Sequence, residues 1–272
     1  FAFPNLGPLQ SCVNFYSNYL FGLNFRHEYW KVAVHRLAFA WYNSLIKQMG
    51  ASQLKEYGLK NFSGKLFFAG HHRAHAASAF RCSNFDTSLI VTIDGMGDRV
   101  CAMLSYGDAN TITPLEIIKY PNSLGFMYTA FTNYLGYGGT NGHEGHESKI
   151  MGLAPYGSPQ KDFSDVLTIR DGLYHVNPAY VNKNRIATIE RKFGPRLKSP
   201  SGEIAQHYKD IAATLQDSLE KAVIALVKRG LRIKPTDNLC VAGGSGLNCK
   251  MNGKIYLAGL IKKIFIQPAA GD

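Results

Sequence analysis

The chain has 272 residues, 46% of them hydrophobic, and a formal net charge of +11. That is enough to bury one sizeable core or two lobes, and no apolar run approaches the roughly 20 residues that a membrane-spanning helix needs. The charge favours anionic partners, yet the basic residues are spread thinly outside Lys31–Arg36, Arg191-Lys192 and Lys262-Lys263, so a phosphate-rich small molecule accounts for it as well as nucleic acid does. Cys12, Cys82, Cys101, Cys240 and Cys249 are widely spaced, with no Cys-x-x-Cys. This pattern argues against a disulfide framework or a cysteine zinc site and for a reducing cytoplasm. The opening, Phe1-Ala2-Phe3-Pro4, is no signal peptide. With the stop at Gly271-Asp272, it makes the chain read as a fragment.

In chain order, residues 1–60 read as mainly helical, with apolar spacing over His27 to Met49 and Gly50 as C-cap. Lys65 to Ala69 reads as a short strand and His71 to Phe80 as an alanine-rich helix. Ser88 to Ile93 and Val100 to Tyr106 form a hairpin with an acidic, glycine-rich tip at Asp94 to Asp98. A helix follows over Gly125 to Leu135, then a loop to His146, then the segment Lys149 to Tyr156. Residues 158–200 look like an insertion with turns at Asp171-Gly172 and Asn177-Pro178. Ile204 to Arg229 is the clearest helix, with a stripe of Ile204, Ile211, Leu215, Leu219, Val223 and Leu226, and Gly230 as its stop. Strands at Asn238 to Ala242 and Lys263 to Gln267 flank a glycine-rich turn and a helix, so the class is α/β.

Four constellations carry chemistry. Three histidines crowd Gly70-His71-His72-Arg73-Ala74-His75. On a helix, His71 and His75 share one face and can share a metal, and His72 with His75 is a second pair at close spacing. A buried imidazole needs partners, so such a cluster favours metal or phosphate contact over plain core packing. Asp94 ends an apolar strand and is followed by Gly95-Met96-Gly97, which suits a metal ion or nucleotide phosphates. The bland reading is a type I′ turn at Asp-Gly. In Gly243-Gly244-Ser245-Gly246-Leu247-Asn248 a strand runs into a glycine turn and a helix, which lets a nucleotide approach backbone amides; a tight structural turn is the alternative. Last, Ile264 to Ile266 delivers Asp272 to a sheet edge through a small-residue turn. His143-Glu144-Gly145-His146-Glu147 lacks the spacing of a zinc-protease helix.

Together HHRAHAASAF (71–80), LIVTIDGMGD (89–98), SLGFMYTAFTNYLGY (123–137), SKIMGLAPYG (148–157), CVAGGSGLNCKMNGKI (240–255) and IFIQPAAGD (264–272) closely resemble the NodU/CmcH-type O-carbamoyltransferases, in the family's order. The resemblance implies a two-lobed actin-like ATPase fold (ASKHA, Kae1-like). Residues 1–64 would be a helical part of the first lobe, 65–157 the metal and phosphate part, 158–202 an insertion and 203–272 the nucleotide part of the second lobe. It further implies a divalent ion on His71, His75, Asp94 and Asp272, with iron expected and manganese or zinc as alternatives. ATP and carbamoyl phosphate would give carbamoyl-adenylate, and a hydroxyl of a small natural product, such as an antibiotic or guanidinium toxin, would then accept the carbamoyl group. Gly95, Gly97, Gly243, Gly244, Ser245 and Asn248 would hold the nucleotide, with His72 and Lys149 as catalytic contacts. Neither nucleic acid nor a membrane is an expected partner, and there is room for a homodimer. The family's His-Asp-Ser segment, its glycine run after Asp272 and its YrdC-like C-terminal domain have no match in the sequence. A catalytically inactive binding module, a tRNA threonylcarbamoyl-type relative and a metabolite kinase of the same fold are the competing readings.

Overall fold

Leu89-Ile90-Val91-Thr92-Ile93 is fully buried, because its strand lies in the middle of a sheet covered on both faces. The computed structural model describes residues 69–138, 146–198, 200 and 202–271, all within the second of the two units into which the chain divides, Ala69–Asp272. Elements follow as α1 (His71–Cys82), β1 (Thr87–Gly97), β2 (Val100–Asp108), β3 (Thr111–Lys119), α2 (Leu124–Tyr134) and α3 (Glu147–Leu153). Then come β4 (Leu167–Arg170), β5 (Leu173–Val176), α4 (Arg185–Phe193), α5 (Gln206–Ile233), β6 (Asn238–Ala242), α6 (Cys249–Leu257) and β7 (Lys263–Ile266). The main sheet has the order β3-β2-β1-β6-β7. Its β3, β2 and β1 run antiparallel, whereas β1, β6 and β7 run parallel. The strand expected at Lys65 to Ala69 and the helices expected before residue 60 lie outside the described residues, apart from Ala69, which is not in a strand.

Alternation along β1 assigns its two faces. Leu89, Val91 and Ile93 point into the larger core, formed with α2 and α5. Ile90 points the other way, to Ala76, Ala79 and Phe80 of α1, with Met103, Cys240 and Ala242 beside it. The small alanines let α1 lie close on the sheet. Thr92 and Asp94 follow Ile90 in the period of two, so the strand's polar end emerges under α1.

The structure moves the hairpin turn. β1 runs past Asp94 and Gly95 to Gly97, with an irregular register between Ile93 and Gly97. The chain reverses at Asp98 and Arg99, whose φ values of 54° and 64° belong to a type I′ geometry. Strand β3 is absent from the sequence reading, for which Pro114 and Glu116 break the pattern; on a sheet edge, and beside the register shift at Ser105, a proline is tolerated. Within 158–200 the expected turn at Asp171-Gly172 joins β4 to β5, and α4 was not anticipated. Among the described residues, no helix is long and apolar enough to cross a membrane.

Helix α5 begins at Gln206, after Ile204, and carries the rest of the expected stripe. Ile211, Leu215, Leu219, Val223 and Leu226 are buried, each contributing roughly 1.5–3 kcal/mol by transfer from water. It does not stop at Gly230 but continues to Ile233 and ends at Lys234, where the following Pro235 disfavours helical backbone. Gly230 is instead a crossing point: a Cβ there would stand 2.7 Å from both Leu89 Cδ atoms and 3.0 Å from Leu104 Cδ1. Gly230→Val is therefore expected to lower stability by about 2 kcal/mol through overpacking, read as a shifted midpoint in denaturant unfolding at unchanged slope.

Candidate metal centre

Helix α1 starts with two of the three histidines that the sequence singles out. Gly70 precedes it in extended backbone and no local side chain caps it; instead the His71 N–H donates to Asp98 Oδ2 at 2.8 Å, across 27 residues. Gly97 lies directly beneath His71, where a Cβ would come within 2.0 Å of the ring Cγ. The hairpin end thus fixes both the first turn of α1 and the seat of its first imidazole. Gly97, expected at phosphate, has this neighbour instead.

His71 and His75, one turn apart, meet edge to face with ring centroids 4.6 Å apart. Their Nε2 atoms are 3.1 Å apart, and Asp94 Oδ2 lies 2.9 Å from that of His71 and 3.1 Å from that of His75. Metal–ligand bonds of about 2.1 Å put two ligands about 3.0 Å apart at a right angle and about 3.4 Å apart in a tetrahedron. The observed triangle matches the right-angled case, one face of an octahedron. Two histidines and one carboxylate in that arrangement suit a divalent ion with positions left open, so the residues fit such a group. Burial opposes ionisation of Asp94, but hydrogen bonds from His71, His75 and the Gly95 N–H outweigh it and hold the carboxyl well below the usual range.

The backbone around Asp94 is crowded. A Cβ on Gly125, in the first turn of α2, would be 2.8 Å from the Asp94 carbonyl and 2.7 Å from Gly95 N. Ser123 stitches that turn to β1: its hydroxyl donates to Gly95 O (2.6 Å) and accepts from Phe126 N (3.0 Å). From the other side, Gly243 has φ 87°, and a Cβ there would be 2.3 Å from Ile93 O; one on Gly244 would be 3.1 Å from Asp94 Oδ1. The glycine turn and the imidazole pair therefore share Asp94. Sequence reasoning missed Asp98, Ser123 and Gly125. Ser123 alone carried a local signal, as a serine opening an apolar helix.

Three expectations for site residues need correction or leave the described region. His72 is buried at 3% exposure, with Nε2 2.9 Å from Val100 O and Nδ1 2.8 Å from Thr92 Oγ1. Burial lowers its pKa to about 4, so the ring is neutral, with Nε2 facing the carbonyl and Nδ1 the hydroxyl. Both nitrogens are occupied, and His72 is a strut between α1 and the hairpin rather than a contact for substrate. Asn248 turns its side chain inward, capping α6 through Met251 N at 2.9 Å. Asp272 lies outside the described residues, as do 139–145; the segment leading to Asp272 is tied to α1 by Gln267 Nε2 donating to Ser78 O at 2.7 Å. Lys149 is exposed on α3, its ammonium 5.8 Å from the Tyr137 ring centre, and Ser245 is half-buried within the glycine turn.

A family model described as the carbamoyltransferase N-terminus matches residues 7–272. An uncharacterised protein of Synechocystis is 40% identical over 216 residues, covering 76% of this chain and 34% of that protein. The nodulation protein NolNO of Sinorhizobium fredii is 35% identical over 222 residues, covering 80% and 31% respectively. The chain thus spans about a third of the length of these curated relatives. Among solved structures, HypF of T. kodakarensis has a TM-score of 0.52 at 15% identity, covering 81% of this chain and 37% of its own, a likeness of fold.

The buried His72 also makes stability pH-dependent. Its folded pKa near 4 lies below the ordinary histidine value of 6.5, so the unfolded chain binds the extra proton between those values and stability falls as pH drops through that window. Relative to His72→Gln, the wild-type chain is expected to lose about 2 kcal/mol between pH 6.5 and 4. Parallel urea titrations at the two pH values measure it; a difference that does not change with pH would place the neutral imidazole elsewhere.

Proposed function

The chain belongs to the carbamoyltransferase N-terminal family, and from that premise we propose that it holds the metal and nucleotide in an O-carbamoyltransferase acting through carbamoyl-adenylate. The observation that carries this reading is the sharing of Asp94 between the His71–His75 triangle and the Gly243-Gly244 turn. An ion beside a nucleotide turn is what an acyl-adenylate requires, because the phosphate and the carbamoyl carbonyl of that species are adjacent. The sheet order β3-β2-β1-β6-β7, with three antiparallel and then two parallel partners, supports an actin-like ATPase (ASKHA) core, as does the likeness of fold to HypF.

In this reading water releases phosphate from carbamoyl phosphate, and the carbamate oxygen attacks the α-phosphorus of ATP, giving carbamoyl-adenylate and pyrophosphate. A hydroxyl of a small natural product then attacks the carbamoyl carbon, and AMP leaves. His71, His75 and Asp94, with Asp272 as a fourth ligand, would hold the divalent ion, of which iron is the expected kind and manganese or zinc the alternatives. When bound, the ion supplies positive charge to the phosphate and carbonyl oxygens. Asp94 stays ionised and orients both imidazoles. Gly95, Gly243 and Gly244 remove side chains from the approach to the backbone, so that amide N–H groups of the turn can reach phosphate oxygens. Lys149 stands on the adjoining helix as a cation for the carbamoyl phosphate.

The test is elemental analysis of the purified protein together with AMP and pyrophosphate formation from ATP plus carbamoyl phosphate. Roughly one divalent ion per chain is expected, and His75→Ala should lose it while keeping its far-ultraviolet circular dichroism. Unchanged metal in that variant would remove the triangle from the site. No metal and no AMP in the wild type would make the chain an inactive binding module instead.

A further inference from the structure

Behind the turn 243–248 lies a saturated amide pair that the chemistry above does not use. Gln216 on α5 is 2% exposed. Its Nε2 donates to Glu220 Oε1 (2.8 Å) and Asn248 Oδ1 (3.0 Å), and its Oε1 accepts from Tyr128 Oη (2.9 Å) and Asn248 Nδ2 (2.9 Å). All four valences of the amide are spent. A flip would set acceptor against acceptor at the Glu220 carboxylate, so only one orientation is allowed. Burial, with the carboxylates of Glu147 and Glu220, raises the pKa of Tyr128 and keeps its phenol protonated as the donor.

Core packing has no need of this group: an apolar set of the same volume avoids the desolvation that the buried Gln216, Glu220 and Tyr128 and the half-buried Asn248 incur. What the pair does is define one residue, Asn248. That residue ends the glycine turn in extended backbone (φ −73°, ψ 93°) and caps α6 in the same stroke. The turn's other end is fixed by contact, with Gly243 pressed on Ile93 O. A short segment anchored at both ends presents its backbone in one conformation, which lowers the ordering cost of binding.

We propose that Gln216 is a positioning residue for nucleotide binding, acting through Asn248 to hold the 243–248 turn in the shape that receives phosphate. The proposal rests on the nucleotide reading of that turn. Through Tyr128 the same amide is anchored to α2, whose first turn packs on Asp94, so the turn is held in register with the imidazole pair.

The experiment is calorimetric titration of the full chain with ATP and Mg2+, alongside metal analysis. Gln216→Asn is too short to reach Asn248, Glu220 and Tyr128 together, and should weaken ATP binding about tenfold or more while metal content stays close to wild type. The double variant Gln216→Asn/Asn248→Gln exchanges the two chain lengths and should restore affinity to within about threefold of wild type. A folded Gln216→Asn chain that binds ATP as wild type does, or a double variant no better than the single one, overturns the proposal. Should Gln216→Asn fail to fold, Gln216→Glu keeps the shape and loses both donors; unchanged ATP affinity there is equally fatal. Wild-type chain that takes up metal but no ATP would instead sink the nucleotide reading itself.

Discussion

An aspartate at the end of a central strand reaches two imidazoles only if the backbones around it come closer than side chains permit. Four glycines meet that condition. Gly97 leaves room for the His71 ring, Gly95 for the ring of Phe126, Gly125 for the Asp94 carbonyl and Gly243 for the Ile93 carbonyl. Each glycine costs the unfolded-to-folded transition about 0.5–1 kcal/mol in backbone entropy, and the fully buried strand on which they converge offsets it. The strand is held from both sides, by β2 and by β6. The geometry of the site is therefore a property of the sheet centre rather than of a loop.

Much of this was legible because it is local. The apolar run 89–93 and the i, i+4 histidines of α1 need only neighbours in sequence, whereas the pairing of Asp94 with His71 and His75 rests on the family resemblance. Strand β6 has the bounds its residues suggested. What could not be read is what one segment does for another. Gly230 looks like a helix stop from its own surroundings, and only the position of Leu89, 141 residues earlier, explains it. Strand β3 carries a proline that argues against a strand until its edge position is known. Nothing near Gln216 announces that its partner is Asn248.

Proximity to a motif proved a poor guide to a residue's task. His72 sits between two site histidines, yet its ring turns from them to Thr92 and Val100. Successive residues on a helix point about 100° apart, so the residue next to His71 faces Thr92 and the hairpin rather than the Asp94 carboxylate. Asn248 closes a glycine turn, and its amide faces the protein interior. In both cases a polar side chain was recruited to hold the machinery, because buried backbone and side-chain groups need partners as much as a substrate does.

The non-local cap of α1 bears on the order in which the chain assembles. Twelve residues make a marginal helix on their own in water, and this one has its first N–H satisfied from Asp98 at the hairpin turn. Helix and hairpin therefore mature together, after a loop of 27 residues has closed. The nascent chain offers a pair of adjacent histidines without their carboxylate, and the complete set exists only once β1 and β2 have paired. Any cation held by that set adds its binding free energy to the closed state, and so acts as a clasp on the hairpin as much as on the helix.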